Sequence, residues 1–169
     1  MIGGRYQHRQ RIALAGALLW VLACGASDTL LPSTPSKKPE GRARIQGQSI
    51  TLELARTPQE QALGLGQRDA LAWGHGMLFL YDEPQFHRFW MKDMRFDIDI
   101  LWIREGRIVD ISHNVRHRPG STGDQASPRE LADQVLELPA GYAVAQGLRP
   151  GQRVDIEILK NGSRDPAHP

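Results

Sequence analysis

At 169 residues the chain has room for one domain with a core large enough to hold together without cross-links. It must do so, because the single cysteine, Cys24, excludes an intramolecular disulfide. The formal charge of +2 does not point to a polyanion: Arg5, Arg9 and Arg11 stand in a leader without acidic residues, and past residue 23 the 21 basic and 19 acidic side chains become 18 and 19, so no nucleic-acid partner is expected.

Residues 1–11 carry the three arginines, residues 12–23 are uncharged, and small residues precede Cys24, the three regions of an export signal. The apolar stretch is too short to span a bilayer comfortably. Val21-Leu22-Ala23-Cys24-Gly25 resembles a bacterial lipobox, with valine where leucine is more usual. The resemblance implies that residues 1–23 are removed and that Cys24 becomes a lipid-bearing first residue; an ordinary secretory signal or an uncleaved anchor are the alternatives. In each case the remainder is expected outside the cytoplasm; the lipoprotein reading holds it at a membrane of the bacterial envelope, facing the periplasm. Residues 24–41 are rich in Ser, Thr, Pro, Lys and Gly and are expected to form a disordered tether.

A single β-rich domain is expected over residues 42–159, followed by a fraying tail, 160–169. Ala43–Ile45 and Ile50–Leu54 read as a hairpin around Gly47-Gln48. Thr57-Pro58-Gln59-Glu60 has the signature of a capping box, which predicts a short helix from Pro58 to about Leu65. A glycine-punctuated loop then carries Trp73 toward the centre of the chain. Met77–Tyr81, Phe89–Met91 and Ile98–Ile103 are short apolar runs separated by charged or proline-containing breaks, as in strands buried on both faces. Arg107–Ser112 pairs with Ile98–Ile103 across Arg104-Glu105-Gly106. The polar stretch His113 to Arg129 reads as a lid or a mobile loop. Val135–Leu138 is a strand, Gly141–Gln146 a short helix ended by Gly147, and Arg153–Leu159 the last strand.

The stretches GMLFLYDEP, FWMKDM, DIDILWI and LELPAGYAVAQGLRPGQRV together resemble the uncharacterised family catalogued as domain of unknown function 192, over about Gln48 to Val154. The resemblance implies a compact, mainly β fold of sandwich or clam-like form with two short helices, and no activity. The chain departs from the family pattern at Leu65-Gly66-Gln67-Arg68, where a bulky residue usually precedes the arginine. It departs again at Arg95-Phe96-Asp97, where a proline-containing turn is usual.

Trp90 and Lys92 lie two apart, on one face of an extended segment. Open to solvent, an indole beside an ammonium is a platform for a sugar ring or an anionic ligand. The aromatic composition of the run favours a packed Trp90 with Lys92 extended past it. Arg68 joins these two as a ligand-binding candidate. Asp99 and Glu137 are candidate acid and base carboxyls for a hydrolase acting on an envelope glycan, provided that they converge; the plainer expectation is that Asp97 makes a turn and that Asp99 or Glu137 pairs with Arg68, Lys92 or a backbone amide. Met91, Met94 and His87 are soft donors of a kind used for Cu(I), but residues three apart in a strand face opposite ways, and His113 with His117 lacks a third ligand. Core filling by methionine is the better account, and no metal site or cofactor is expected. The expectation is therefore a lipid-anchored binding or accessory module for a small ligand or another envelope component, with hydrolase and metal-handling functions as alternatives.

Overall fold

The computed structural model describes residues 40–159. The leader, Cys24, all but the last residues of the expected tether and the expected tail lie outside the described residues.

The domain is mainly β with two short helices. Its strands are β1 (Gly41–Ile45), β2 (Gln48–Ala55), β3 (His75–Gln85), β4 (Phe89–Trp90), β5 (Ile98–Arg104), β6 (Arg107–Val115), β7 (Gln125–Ala126), β8 (Ala132–Pro139) and β9 (Asp155–Ile158), with α1 (Pro58–Leu63) and α2 (Tyr142–Ala145) between them. The hairpin turns follow from residue chemistry. Gln46-Gly47 and Glu105-Gly106 each have positive φ at both positions, the geometry that matches strand twist in a two-residue loop. α1 starts with the capping box read from the sequence, Thr57 accepting from the Glu60 amide and the Glu60 carboxylate accepting from the Thr57 amide. It stops two residues earlier than expected, at Gly64, whose φ is 52°. No helix among the described residues is long and apolar enough to cross a membrane.

Seven strands form one mixed sheet in the order β6-β5-β8-β3-β2-β1-β9, and β4 pairs with β7 in a separate two-stranded ribbon. The layering expected of a sandwich thus takes the form of one large sheet with a small ribbon over part of it. Only β2 and β3 run parallel, because α1 and the following loop cross between them. Residues 151–154 hydrogen-bond back to Gly106 and Ile108 and lead directly into β9, so the two edges of the sheet approach one another and the sheet rolls up. Leu52, Leu54, Leu78, Leu101, Ile103, Leu136 and Leu138 fill the rolled interior. The period-two alternation sends Met77, Phe79, Ile100, Trp102 and Val135 to the other face. That face is covered by Leu65 and Leu71 from the crossover and by Phe89, Met91 and Ala126 from the ribbon and its continuation.

Two expectations need correction. The Phe89–Met91 run is not a buried strand of the main sheet: only Phe89 and Trp90 pair, and Met91 to Met94 close a turn with Asp93 at φ 59°. Part of the 113–129 stretch is regular as well, since β6 continues to Val115 and residues 125–126 form β7. The loop between them is held by Asp124, which accepts from Arg118 at 2.8 Å and lies 3.5 Å from Arg116, and by His117, bonded to Asp97 at 2.6 Å.

Candidate functional site

Strand register brings Glu53, Met77, Glu137 and Ile100 side by side across β2, β3, β8 and β5 on the outward face. Two carboxyls therefore stand in an otherwise apolar row, and they are treated differently. Glu53 is buried and receives a bidentate pair from Arg68, both bonds 2.7 Å. Glu137 is also buried, but its Oε2 has no hydrogen-bond partner. Burial lifts its carboxyl from the ordinary 4.5 to about 8, and the charge of Arg68 offsets this only in part. At neutral pH Glu137 is mostly a neutral acid, able both to donate and to accept a hydrogen bond.

Glu137 forms the base of a cleft of about 110 Å³ between the end of α1, β3 and β4, whose walls and rim include Leu63, Tyr81, Arg88, Trp90 and Lys92. Gly64, with φ 52°, ends α1 next to this cleft; a Cβ there would make ordinary contacts with the Phe79 ring at 3.5 Å and Glu137 Oε2 at 3.9 Å, so it is the backbone conformation that calls for glycine. Burial, and to a smaller degree the Glu137 charge, raises the Tyr81 hydroxyl to about 12. The Tyr81 ring is stacked on His87 with centroids 3.8 Å apart, and His87 Nε2 lies 2.8 Å from the Ala132 carbonyl oxygen.

The ribbon sets the outer wall. Phe89 packs edge-on against Phe79 and Trp102, with centroids 5.0 and 5.4 Å away, and its strand partner Ala126 is buried beside it. Alternation then turns Trp90 and its partner Gln125 outward. The expectation that Trp90 packs in the core is overturned: it is 56% exposed, and Lys92 is exposed beside it. The same two residues border a second hollow of about 240 Å³ with Thr122 and Gln125. Beside Thr122, Gly123 lets the loop pack directly on Met91, since its φ is 68° and a Cβ would fall 2.5 Å from that of Met91.

The remaining candidates separate. Arg68 is not a free ligand-binding cation; it is committed to Glu53 and acts on Glu137 through its charge. Asp99 pairs in register with Leu138 and Glu137 with Ile100, so the two carboxyls face opposite sides of the sheet. The acid-base pair required for the hydrolase reading does not form. Asp99 is instead fully buried and accepts 2.8 Å bonds from the backbone amides of Asn114 and Ala143, tying a bulge of β6 and the start of α2 to β5. Asp99→Asn turns one acceptor into a donor that faces an N–H. It is expected to cost about 2 kcal/mol, read by urea denaturation, with the Trp90 cleft unaltered. Met91 is core, His87 spends Nε2 on Ala132, and of the three soft donors only Met94 lines the cleft. Among the described residues no group of three or more His, Cys, Asp or Glu side chains is placed to hold a metal ion.

The cleft, the ribbon and the Glu53–Arg68 pair all lie within residues 41–156, which match the family described as DUF192, Uncharacterized ACR. The chain belongs to the DUF192 family. It is similar to the crystal structure of a protein of unknown function from Novosphingobium aromaticivorans DSM 12444, with 28% identity, a TM-score of 0.61, and coverage of 69% of this chain and 83% of that one. It is also similar to a Sinorhizobium meliloti 1021 protein described as a candidate transcription regulator, with 31% identity, a TM-score of 0.61, and coverage of 69% and 92%. No curated protein matches the chain significantly. DUF192 membership accounts for the β-rich fold and carries no reaction with it.

Glu53, Tyr81 and Gln125 were not singled out from the sequence. For Glu53 a signal was present: Thr51-Leu52-Glu53-Leu54 has the same leucine-flanked glutamate as Val135-Leu136-Glu137-Leu138. Two strands with this pattern, each sending its leucines into the core, place their glutamates on a common opposite face.

Proposed function

We propose that this DUF192 protein is an exported, lipid-anchored binding module, carried by Cys24, that takes a small ligand between Trp90 and Glu137. The observation that carries the reading is the unpartnered Oε2 of buried Glu137 at the base of an open cleft. An unsatisfied buried polar atom costs about 1–3 kcal/mol; Oε2 is shielded from solvent, so a ligand hydroxyl or amide recovers that loss once the Glu137 carboxyl turns toward the cleft it lines. Trp90 adds an exposed aromatic wall. Arg88 and Lys92 add two exposed cations on the rim, neither with an ion-pair partner among the described residues. The leader and the lipobox-like pentapeptide support the anchor. The regulator description of the S. meliloti relative is not carried over. Past the leader acidic residues slightly outnumber basic ones, and the helices of the described residues have six and four residues, too short to serve as a groove-reading helix.

The test is the melting temperature of the full-length chain against sugars, sugar acids, peptidoglycan fragments and lipid head groups. A ligand at 100 times its dissociation constant stabilises the native state by about 2.7 kcal/mol, a shift of several degrees in a domain of this size. One class is expected to raise the midpoint and to lose its effect in Trp90→Ala, an exposed substitution that spares the core. No shift with any class, or a shift that survives Trp90→Ala, contradicts the reading.

A further inference from the structure

Trp90 belongs to two hollows rather than one. It borders the Glu137 cleft and also the hollow formed with Thr122 and Gln125, and Lys92 borders both. The register of the ribbon explains why Trp90 also borders the second hollow: Trp90 and Gln125 are direct cross-strand partners on its outward face, and Thr122 lies on the loop that enters β7. A ligand confined to one hollow leaves the other, which shares Trp90 and Lys92, unfilled.

The polar groups along this path share a character. Glu137 in its neutral form, the Thr122 hydroxyl and the Gln125 amide each offer both a donor and an acceptor. Such groups suit hydroxyls, which also do both, and they discriminate little between the two roles. The indole suits a ring with an apolar C–H face, and pyranose rings combine that face with a hydroxylated edge. Arg88 and Lys92, without ion-pair partners among the described residues, favour a ligand that carries negative charge. They also argue against an amine held by Glu137 and the aromatic walls.

Resting on the binding-module reading, we propose that the ligand is an acidic oligosaccharide that crosses Trp90, with one sugar in the Glu137 cleft and the next against Thr122 and Gln125. The cleft supplies a polar anchor at its base, the indole carries the chain over the ribbon, and the two rim cations hold its carboxylates. The site is therefore longer than a single ring.

The experiment is calorimetric titration of the full-length chain with oligouronates of one to six units, beside a neutral N-acetylglucosamine ladder of the same lengths. Affinity for the uronates is expected to rise at least tenfold from one to three units, to fall with added salt, and to exceed that for the neutral ladder. In Thr122→Val/Gln125→Ala, two exposed positions whose change spares the core, the single sugar is expected to bind as before while the gain with length disappears. Uronate binding without length dependence, or a gain that survives the double variant, overturns the extended site and leaves the Glu137 cleft intact. Equal binding of the neutral ladder overturns the acidic assignment. No binding of either ladder overturns the proposal, and the melting-temperature panel then decides whether the cleft itself binds another class.

Discussion

Arg68→Met is expected to lower folding stability by about 3 kcal/mol or more, the largest loss from any single substitution around the site. Arg68 supplies both bonds of a bidentate pair to Glu53, whose side chain is only 5% exposed. Removing the guanidinium strips a buried carboxylate of that compensation, and the desolvation cost of the charge is no longer offset. The second variant Arg68→Met/Glu53→Gln is expected to recover much of the loss, because the buried charge goes with its partner. Urea denaturation of the single and double variants reads both effects. Arg68→Met has a further consequence at Glu137. The arginine charge holds that carboxyl below where burial alone would place it, so its titration moves further up in the variant.

Glu137→Gln is expected to stabilise the protein in alkaline solution and to do little in acid. The native carboxyl titrates at about 8 against an ordinary 4.5, so between these values the folded chain binds a proton that the unfolded chain has released. A group raised in this way contributes no penalty below 4.5. It lowers stability progressively as pH rises from there to about 8, and the loss levels off above. One pKa unit corresponds to about 1.4 kcal/mol, so the full span is on the order of several kcal/mol. Glutamine keeps the shape and removes the titration. The difference in unfolding free energy between wild type and Glu137→Gln is therefore expected to be near zero at pH 4.5 and to grow to several kcal/mol at pH 9. Taking that difference isolates Glu137 from Asp110, which the Arg129 pairing and backbone amides hold low despite burial, and from His87, which burial holds low.

Much of the fold was legible in the chain because short-range chemistry wrote it. The capping box at Thr57 and the glycine turns at Gly47 and Gly106 act within a few residues, and the structure places α1 and both hairpins there. The ends of elements were less legible. β6 runs three residues past Ser112, because Asp99, from another strand, accepts from the Asn114 amide and stabilises a bulge that no local pattern announces.

The site was legible in pieces. Trp90, Lys92 and Glu137 were candidates from residue type and spacing, but the direction of Trp90 depends on which ribbon face Phe79 and Trp102 draw inward, and they draw Phe89. The proposed partnership of Asp99 with Glu137 failed for a similar reason. Each is a carboxylate flanked by apolar residues in its strand, and only the register of β5 on β8 sets them on opposite faces.

The most direct test of the account is the titration of the Glu137 side-chain carboxyl by carbon-13 NMR, with Glu137→Gln to assign the resonance. A midpoint near 8 in the free protein is the predicted result, as expected of an unpartnered acid at the base of the cleft. A midpoint in the ordinary range near 4.5 would mean that the carboxyl is solvated or paired, and the cleft would lose the group around which the proposed site is built.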